Sequence, residues 1–252
     1  MPGKLHYSNS PLTEASIEIS VTNSKPNAEV LEGLHKAYSG LKKDYPISGK
    51  LVIRDLMLQS HHKIDISETK NEKPNGYNYK TLDDLQIVGN RIDGFSFTRL
   101  APYDRWETFS EEAKRLWVLY RKRVKPDAIT YLSLRYINQI NIPVKSANLS
   151  DYFLTVPQIS SDTPEGGIGA YFFQLLIPQP SLNSILFINQ AMRPPETSNP
   201  EIIPIILDLQ LVRQFDIPQS TEEIWALFEQ YRIRKNQVFE AAITDKTREL
   251  IK

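Results

Sequence analysis

The sequence predicts an α+β fold in which antiparallel, curved sheet packs on long helices. Three observations predict it. Short segments alternate apolar and polar residues at the period of a strand; two amphipathic helices each begin at a capping-box pattern; and the strands come in runs between helices, which favours antiparallel sheet over a parallel doubly wound one. The predicted elements read β-α-β-β-β-α twice. That order divides the chain into residues 1–127 and 128–252 and predicts two halves of one pseudo-duplicated unit.

The first strand is read over Glu14 to Val21, where Ala15, Ile17, Ile19 and Val21 share one face and Glu14, Ser16, Glu18 and Ser20 the other. A helix follows from Asn27, with Val30, Leu31, Leu34, Ala37, Tyr38 and Leu41 at helical spacing, and Pro46 stops it. Leu51 to Leu58 reads as a strand. The polar segment after it, through Lys80, reads as a loop or hairpin tip, with a turn signal at Pro74 to Gly76. Short strands are expected at Leu85 to Val88 and Phe95 to Leu100, joined by GNRIDG, where glycine and asparagine suit positive φ. Asp104 and Glu107 then form a capping box, and Trp106, Phe109, Ala113, Leu116, Trp117, Tyr120 and Val124 make the apolar stripe of a long helix that Pro126 closes.

The second half opens with a strand from Ile129 to Ile140, in which Leu132, Leu134 and Tyr136 alternate with Tyr131, Ser133 and Arg135. A short helix is expected at Leu149 to Leu154 and strands around Ala170 to Ile177, Ser184 to Ala191 and Ile202 to Val212. Pro204 belongs at a strand start or an edge, because it cannot donate to a ladder. Ser220 and Glu223 cap a last long helix carrying Ile224, Trp225, Phe228, Tyr231, Val238, Phe239, Ala242 and Ile243, with a second cap at Thr244.

Composition narrows the chemistry. Thirty basic and thirty acidic residues cancel, so no global field gathers nucleic acid or an anionic membrane. The absence of cysteine excludes disulfides, thiolate metal sites and cysteine nucleophiles together. No apolar run reaches the length of a membrane span, and a cytoplasmic location is expected. His61 and His62 are adjacent, which on a strand sends them to opposite faces, and no zinc spacing or GxSxG elbow occurs. Gly166, Gly167 and Gly169 lack the Lys-Ser/Thr of a phosphate loop. No metal or other cofactor is therefore expected.

Two groups of residues stand out. Arg135, Tyr136 and Asn138 lie on an otherwise apolar strand, so the guanidinium fork of Arg135 needs a carboxylate, phosphate or carbonyl partner; Glu14 and Glu18 are the candidates for an ion pair, and the alternative is an anion site that Arg99 and Tyr103 would join. The basic runs Arg121, Lys122, Arg123 and Arg232, Arg234, Lys235 complement helix termini or, if they line one groove, form a single-stranded nucleic-acid patch with Tyr131 and Tyr136 as stacking residues.

The stretches SPLTEASIEI, FSFTRLAPYDRWETF, LSLRYINQI and VFEAAITDKTREL together resemble the sporadically distributed TIGR-type family of uncharacterised prokaryotic proteins of about this length. The resemblance brings no activity with it. The family's patchy distribution implies mobile or defence-related gene neighbourhoods, which hold toxin–antitoxin pairs and immunity factors.

The expected function is that of a non-enzymatic binding or interaction protein, such as a partner or inhibitor in a defence or toxin–antitoxin-like system, using an open sheet face or the 61–80 segment. A protein partner or a homo-oligomer is expected, and no membrane. The alternative is a small-anion or nucleotide-binding module, open to an enzymatic role, built on Arg135 and Arg99. Nucleic-acid binding is the third reading.

Overall fold

The computed structural model describes residues 7–56, 68–103, 105–144, 148–163, 168–195 and 199–252. The fold is α+β. Nine strands hydrogen-bond in the order β2-β3-β4-β5-β1-β6-β9-β8-β7, and four α-helices accompany them among the described residues. The strands are β1 (Leu12–Thr22), β2 (Ile47–Leu56), β3 (Glu68–Lys80), β4 (Gln86–Arg91), β5 (Gly94–Leu100), β6 (Ala128–Pro143), β7 (Tyr171–Gln179), β8 (Ser184–Met192) and β9 (Ile202–Arg213). The helices are α1 (Asn27–Tyr38), α2 (Trp106–Val124), α3 (Thr221–Ala242) and α4 (Asp245–Leu250). The chain forms two compact units. One comprises residues 1–17, 100–105 and 131–252, the other residues 18–99 and 106–130. Strands β1 and β6 each contribute to both.

In the unit of residues 18–99 and 106–130, the stripe read from the sequence of α2 is its buried face, from Trp106 to Val124. Trp117 and Tyr120 stack with ring centroids 5.6 Å apart, and Phe95 of β5 lies 5.9 Å from each. The Tyr120 hydroxyl donates to the Arg91 carbonyl at 2.9 Å, so its polar end is satisfied inside the apolar cluster. Helix α2 ends where Lys25 Nζ and Asn23 Nδ2 donate to the Val124 carbonyl, at 2.9 and 3.3 Å. A side chain from outside the helix thereby satisfies one of its orphan carbonyls. The proposed cap at Asp104 lies outside the described residues.

Strand β3 corrects the reading of a loop through Lys80. Strand β3 pairs with β2 along its length and over Gly76–Lys80 with β4 as well, although only Tyr77 and Tyr79 alternate in an apolar sense. Strand ladders are made by backbone groups, and a strand with neighbours on both sides is stable without a strong side-chain pattern. The turn signal at Pro74 to Gly76 is a bulge: Leu51 pairs with Gly76 and Val52 with Pro74, leaving Asn75 as the extra residue. Gly76 has φ +152°, and a Cβ there would lie 2.1 Å from the Asn90 carbonyl oxygen, so glycine is required. A second correction concerns GNRIDG. Gly89, Asn90 and Arg91 belong to β4, the reversal falls at Ile92 and Asp93, and none of these residues has positive φ. At Gly89 an added Cβ would meet Ser96 Oγ at 2.4 Å, so a side chain there would require the Ser96 hydroxyl to turn away.

In the unit containing residues 131–252, Ile205, Leu207 and Leu209 of β9 and Ile140 and Ile142 of β6 form one core with Phe239, Ile243 and Ile251 of the C-terminal helical segment. Helix α3 begins as read: Ser220 accepts from the Glu223 N–H and donates to the Glu223 carboxylate at 2.7 Å. Thr244 caps α4 by accepting from the Thr247 N–H, while its own hydroxyl donates to the Asp151 carbonyl. Pro204 is the third residue of β9, just beyond the last β8 pair at Met192–Ile205, where no donor is needed. The helix expected at Leu149 to Leu154 is a single 3-10 turn, Leu149–Asp151. The repeated β-α-β-β-β-α order is accordingly not what the chain adopts: four strands follow α1 before α2, and no α-helix separates β6 from β7 among the described residues.

Candidate functional site

The strands of the larger unit present two faces of different chemistry, and the register assigns each residue to one of them. On β6 the even-numbered residues Leu132, Leu134, Tyr136, Ile140 and Ile142 are buried against the core, and the odd-numbered ones face the other way. Arg135 on this second face meets Asp208 of β9 in a bidentate pair, Nε to Oδ1 and Nη2 to Oδ2 both at 2.8 Å. Asn189 of β8 donates to Asp208 Oδ2 at 2.9 Å, and Gln174 of β7 donates to Asn189 Oδ1 at 2.7 Å. Four neighbouring strands thus carry a polar ladder that runs from Arg135 outward to Gln174. The Asp208 side chain is 6% exposed and that of Arg135 41%. A buried carboxylate with three charge-assisted or amide donors is fully compensated. The pair holds the Arg135 guanidinium charged, raising its pKa through the Asp208 hydrogen bonds.

This geometry changes the partner of Arg135. The sequence offered Glu14 and Glu18; Glu18 instead accepts from Arg91 Nη2 at 2.6 Å, and Glu14 acts on Arg135 only through its charge. Asp208 was missed because it lies 73 residues away and nothing local marks it as facing Arg135.

On the opposite face, Tyr136 and Asn138 are buried. Asn138 Nδ2 donates to the Leu207 carbonyl at 3.1 Å. Tyr136 stands edge-on to Tyr103, with ring centroids 6.1 Å apart, and Lys235 Nζ of α3 lies 3.9 Å from the centre of the Tyr136 ring. The structure therefore brings together Tyr103, Tyr136 and Lys235, which the sequence reading had distributed between two separate sites. Enclosure disfavours the ammonium form of Lys235, and the nearby Arg232 guanidinium adds to it, bringing the pKa down to about 7. Burial pushes the Tyr136 hydroxyl up. Tyr136, at 1% exposure, is not available to stack on a base, which corrects that part of the nucleic-acid reading. Its even-numbered place on β6 puts it with the core.

The second basic run does not act as one patch. At the helical spacing of about 100° per residue, its side chains fan out: Arg232 turns to Glu229, Arg234 to Gln179 and Ser181, and Lys235 to Tyr136. The first run, Arg121, Lys122 and Arg123, is the last turn of α2 in the other unit, where Lys122 and Arg123 are exposed. Arg99 sits on β5 opposite Gln86, and its charge acts on Asp83. Of the remaining sequence candidates, His61, His62, Gly166 and Gly167 lie outside the described residues, as do residues 61–67 of the 61–80 segment; residues 68–80 are β3.

One surface was not anticipated. Strand β7 stands at the end of the strand order, paired with β8 through an unbroken register from Tyr171–Met192 to Gln179–Ser184. Phe172 is 69% exposed and Leu176 55%, and Leu175 and Ile177 are exposed as well. From Gly166 to Met192 the chain contains no charged residue, although charged residues make up 24% of the whole. That uncharged run was readable in the sequence, and it is the signal that would have found the surface.

No protein-family model matches the chain, and no curated protein is similar to it. Among the described residues no helix is long and apolar enough to cross a membrane.

Proposed function

We propose that this is a binding and interaction protein rather than an enzyme, and that it engages a protein partner through the exposed edge of β7. The observation that carries the reading is the strand itself: nine residues, uncharged, unbulged and bearing four exposed large apolar side chains. Natural sheets protect such edges with lysine, proline, bulges or a covering element; among the described residues β7 has only Pro178, near its C-terminal end, which leaves the stretch before it open to another strand. Strand addition draws affinity from main-chain hydrogen bonds and specificity from alternate side chains. Arg135 argues against the small-anion reading, because Nε and Nη2 of its fork both engage Asp208.

From the patchy distribution of the family that the sequence resembles, we further infer a partner or inhibitor acting in a cytoplasmic defence or toxin–antitoxin-like system. We also infer that residues 1–127 and 128–252 descend from one duplicated unit. The strand order supports it: the first strand of each half neighbours the last strand before that half's long helix, β1 beside β5 and β6 beside β9.

Affinity purification from native cells tests the interaction reading, comparing the wild type with a Phe172→Lys, Leu176→Lys double variant. A stoichiometric protein, another chain or a second copy, that is retained by the wild type and lost from the folded variant supports it. A nucleotide or metabolite retained equally by both proteins, with no protein partner, overturns it.

A further inference from the structure

Resting on the reading of β7 as an interaction edge, we propose that its occupant is a second copy of the same chain, the two β7 strands pairing antiparallel about a two-fold axis at Gln174. Pro178 decides which backbone groups face outward. Proline has no N–H and sits on an edge strand with that position turned away from the ladder. Phe172, Gln174 and Leu176 share its parity along the strand, so their N–H and C=O groups are the ones left for a partner.

Pairing those groups with their own copies fixes the register. With Gln174 opposite Gln174 of the second copy, Phe172 falls opposite Leu176 and Leu176 opposite Phe172. The two most exposed apolar side chains of β7 then cover each other. On the other face Phe173 meets Leu175 and Tyr171 meets Ile177, again apolar against apolar. Moving the axis to Leu176 would set Gln174 against the donorless Pro178 and shorten the ladder. The axis at Gln174 is therefore the register that uses the strand best.

Charge and polarity agree with a self-pair. No charged residue lies between Glu165 and Arg193, so two copies bring no like charges together along the strand. Gln174 already donates to Asn189 and ends the polar ladder that starts at Arg135. Its amide has a second N–H and a carbonyl oxygen, so two glutamines at the axis can bond reciprocally and join the ladders of both copies. Aromatic side chains bury about 150–250 Å² each when fully covered, and the partly exposed side chains of β7 supply only a few hundred Å² per copy, below the roughly 800 Å² per partner of a standard interface. The dimer is thus concentration-dependent, with main-chain pairing contributing much of its affinity.

Sedimentation velocity over a concentration series, together with a cysteine cross-link, tests this. The chain has no cysteine, so Gln174→Cys introduces a single thiol. Directly hydrogen-bonded antiparallel residues have Cα atoms about 5.5 Å apart, within disulfide reach. The expected result is a reversible wild-type dimer, a Gln174→Lys variant weakened about tenfold or more by like charges at the axis, and oxidative cross-linking of Gln174→Cys far faster than that of Phe215→Cys, an exposed control off the strand. A wild type that remains monomeric at high micromolar concentration overturns the self-pair, as does a dimer indifferent to Gln174→Lys with equal cross-linking at both cysteines. If the monomeric wild type still captures a different protein through β7, only the self-pair falls. If the β7 double variant captures everything the wild type does, the interaction reading falls with it.

Discussion

Strands β2 and β7 close the two ends of the strand order, and they do so in opposite ways. Strand β2 carries an exposed Lys50, and its pairing with β3 is interrupted by register shifts between Leu51 and Val52 and between Arg54 and Leu56. Strand β7 has no charge and no shift. Charge and bulges are ordinary devices that stop a sheet from growing, and the β2 end has both, whereas β7 has only Pro178 near its C-terminal end to limit a further strand. The difference teaches that strands of similar length at the two ends of one antiparallel order can differ in how open they leave their backbone to a further strand.

The largest expected effect asks whether the contrast reflects the edges or the strength of the units behind them. Trp117→Ala in one unit and Phe228→Ala in the other each empty a fully buried site and should cost about 3–5 kcal/mol, read from denaturant midpoints. A unit behind β7 that proved insensitive would mean that its edge is exposed because it is poorly packed, and the contrast would dissolve.

Next comes the ladder behind β7. Asp208→Ala removes the acceptor of Arg135 and Asn189, and should cost about 1–3 kcal/mol; the exposed part of Arg135 lets water recover some of the loss. Arg91→Ala, which breaks the pair with Glu18 in the other unit, should cost less, because the Glu18 side chain is 40% exposed and Asp208 is not. Equal losses would show that the ladder is no more than a surface pair.

A pH series sharpens the contrast further, since the unit behind β7 half-buries a lysine against the Tyr136 ring. Lys235 has a folded pKa of about 7 against 10.5 for the free side chain. Between those values the unfolded chain holds a proton that the folded one lacks. Stability therefore rises with pH from about 7 and is lost as pH falls back through that window. Below about 7 the dependence should flatten, and Lys235→Met should remove the slope between pH 7 and 9. An unchanged slope in the variant would place the titration elsewhere.

The smallest effect is expected at β2. Lys50→Val on its exposed edge should alter stability by less than about 0.5 kcal/mol and leave the sedimentation of the chain unchanged, because the register shifts still disrupt the edge. Association through Lys50→Val would show that charge alone protects β2.

Much of this architecture was legible. The alternation of β1 and β6 and the stripes of α2 and α3 are repeated often enough to set period and face, and the caps at Ser220 and Thr244 are local hydrogen bonds written in adjacent residues. Strand β3 was not legible, because its ordering comes from backbone pairing, with neighbours on both sides over Gly76–Lys80, rather than from side chains such as Lys73 and Asn78. For the site, the need of Arg135 for a carboxylate could be read, but the identity of Asp208 could not. The same holds for Lys235 and Tyr136: each lies on a correctly read element, and only the tertiary packing of α3 brings the ammonium to the ring. The uncharged hairpin of β7 and β8 was legible and passed over, since a run of ordinary strand residues signals function only by what it lacks.

The bulge at Gly76 has a consequence for how the pairing of β3 with β4 is chosen. A slip of one residue would bring Asn75 or Tyr77 to the place where even a methyl group lies 2.1 Å from the Asn90 oxygen. The missing side chain works as an indexing notch: the two strands can engage at one setting and are refused at the adjacent ones. Alignment in this polar part of the sheet, where side-chain pattern is weakest, is thereby set by an atom the sequence leaves out.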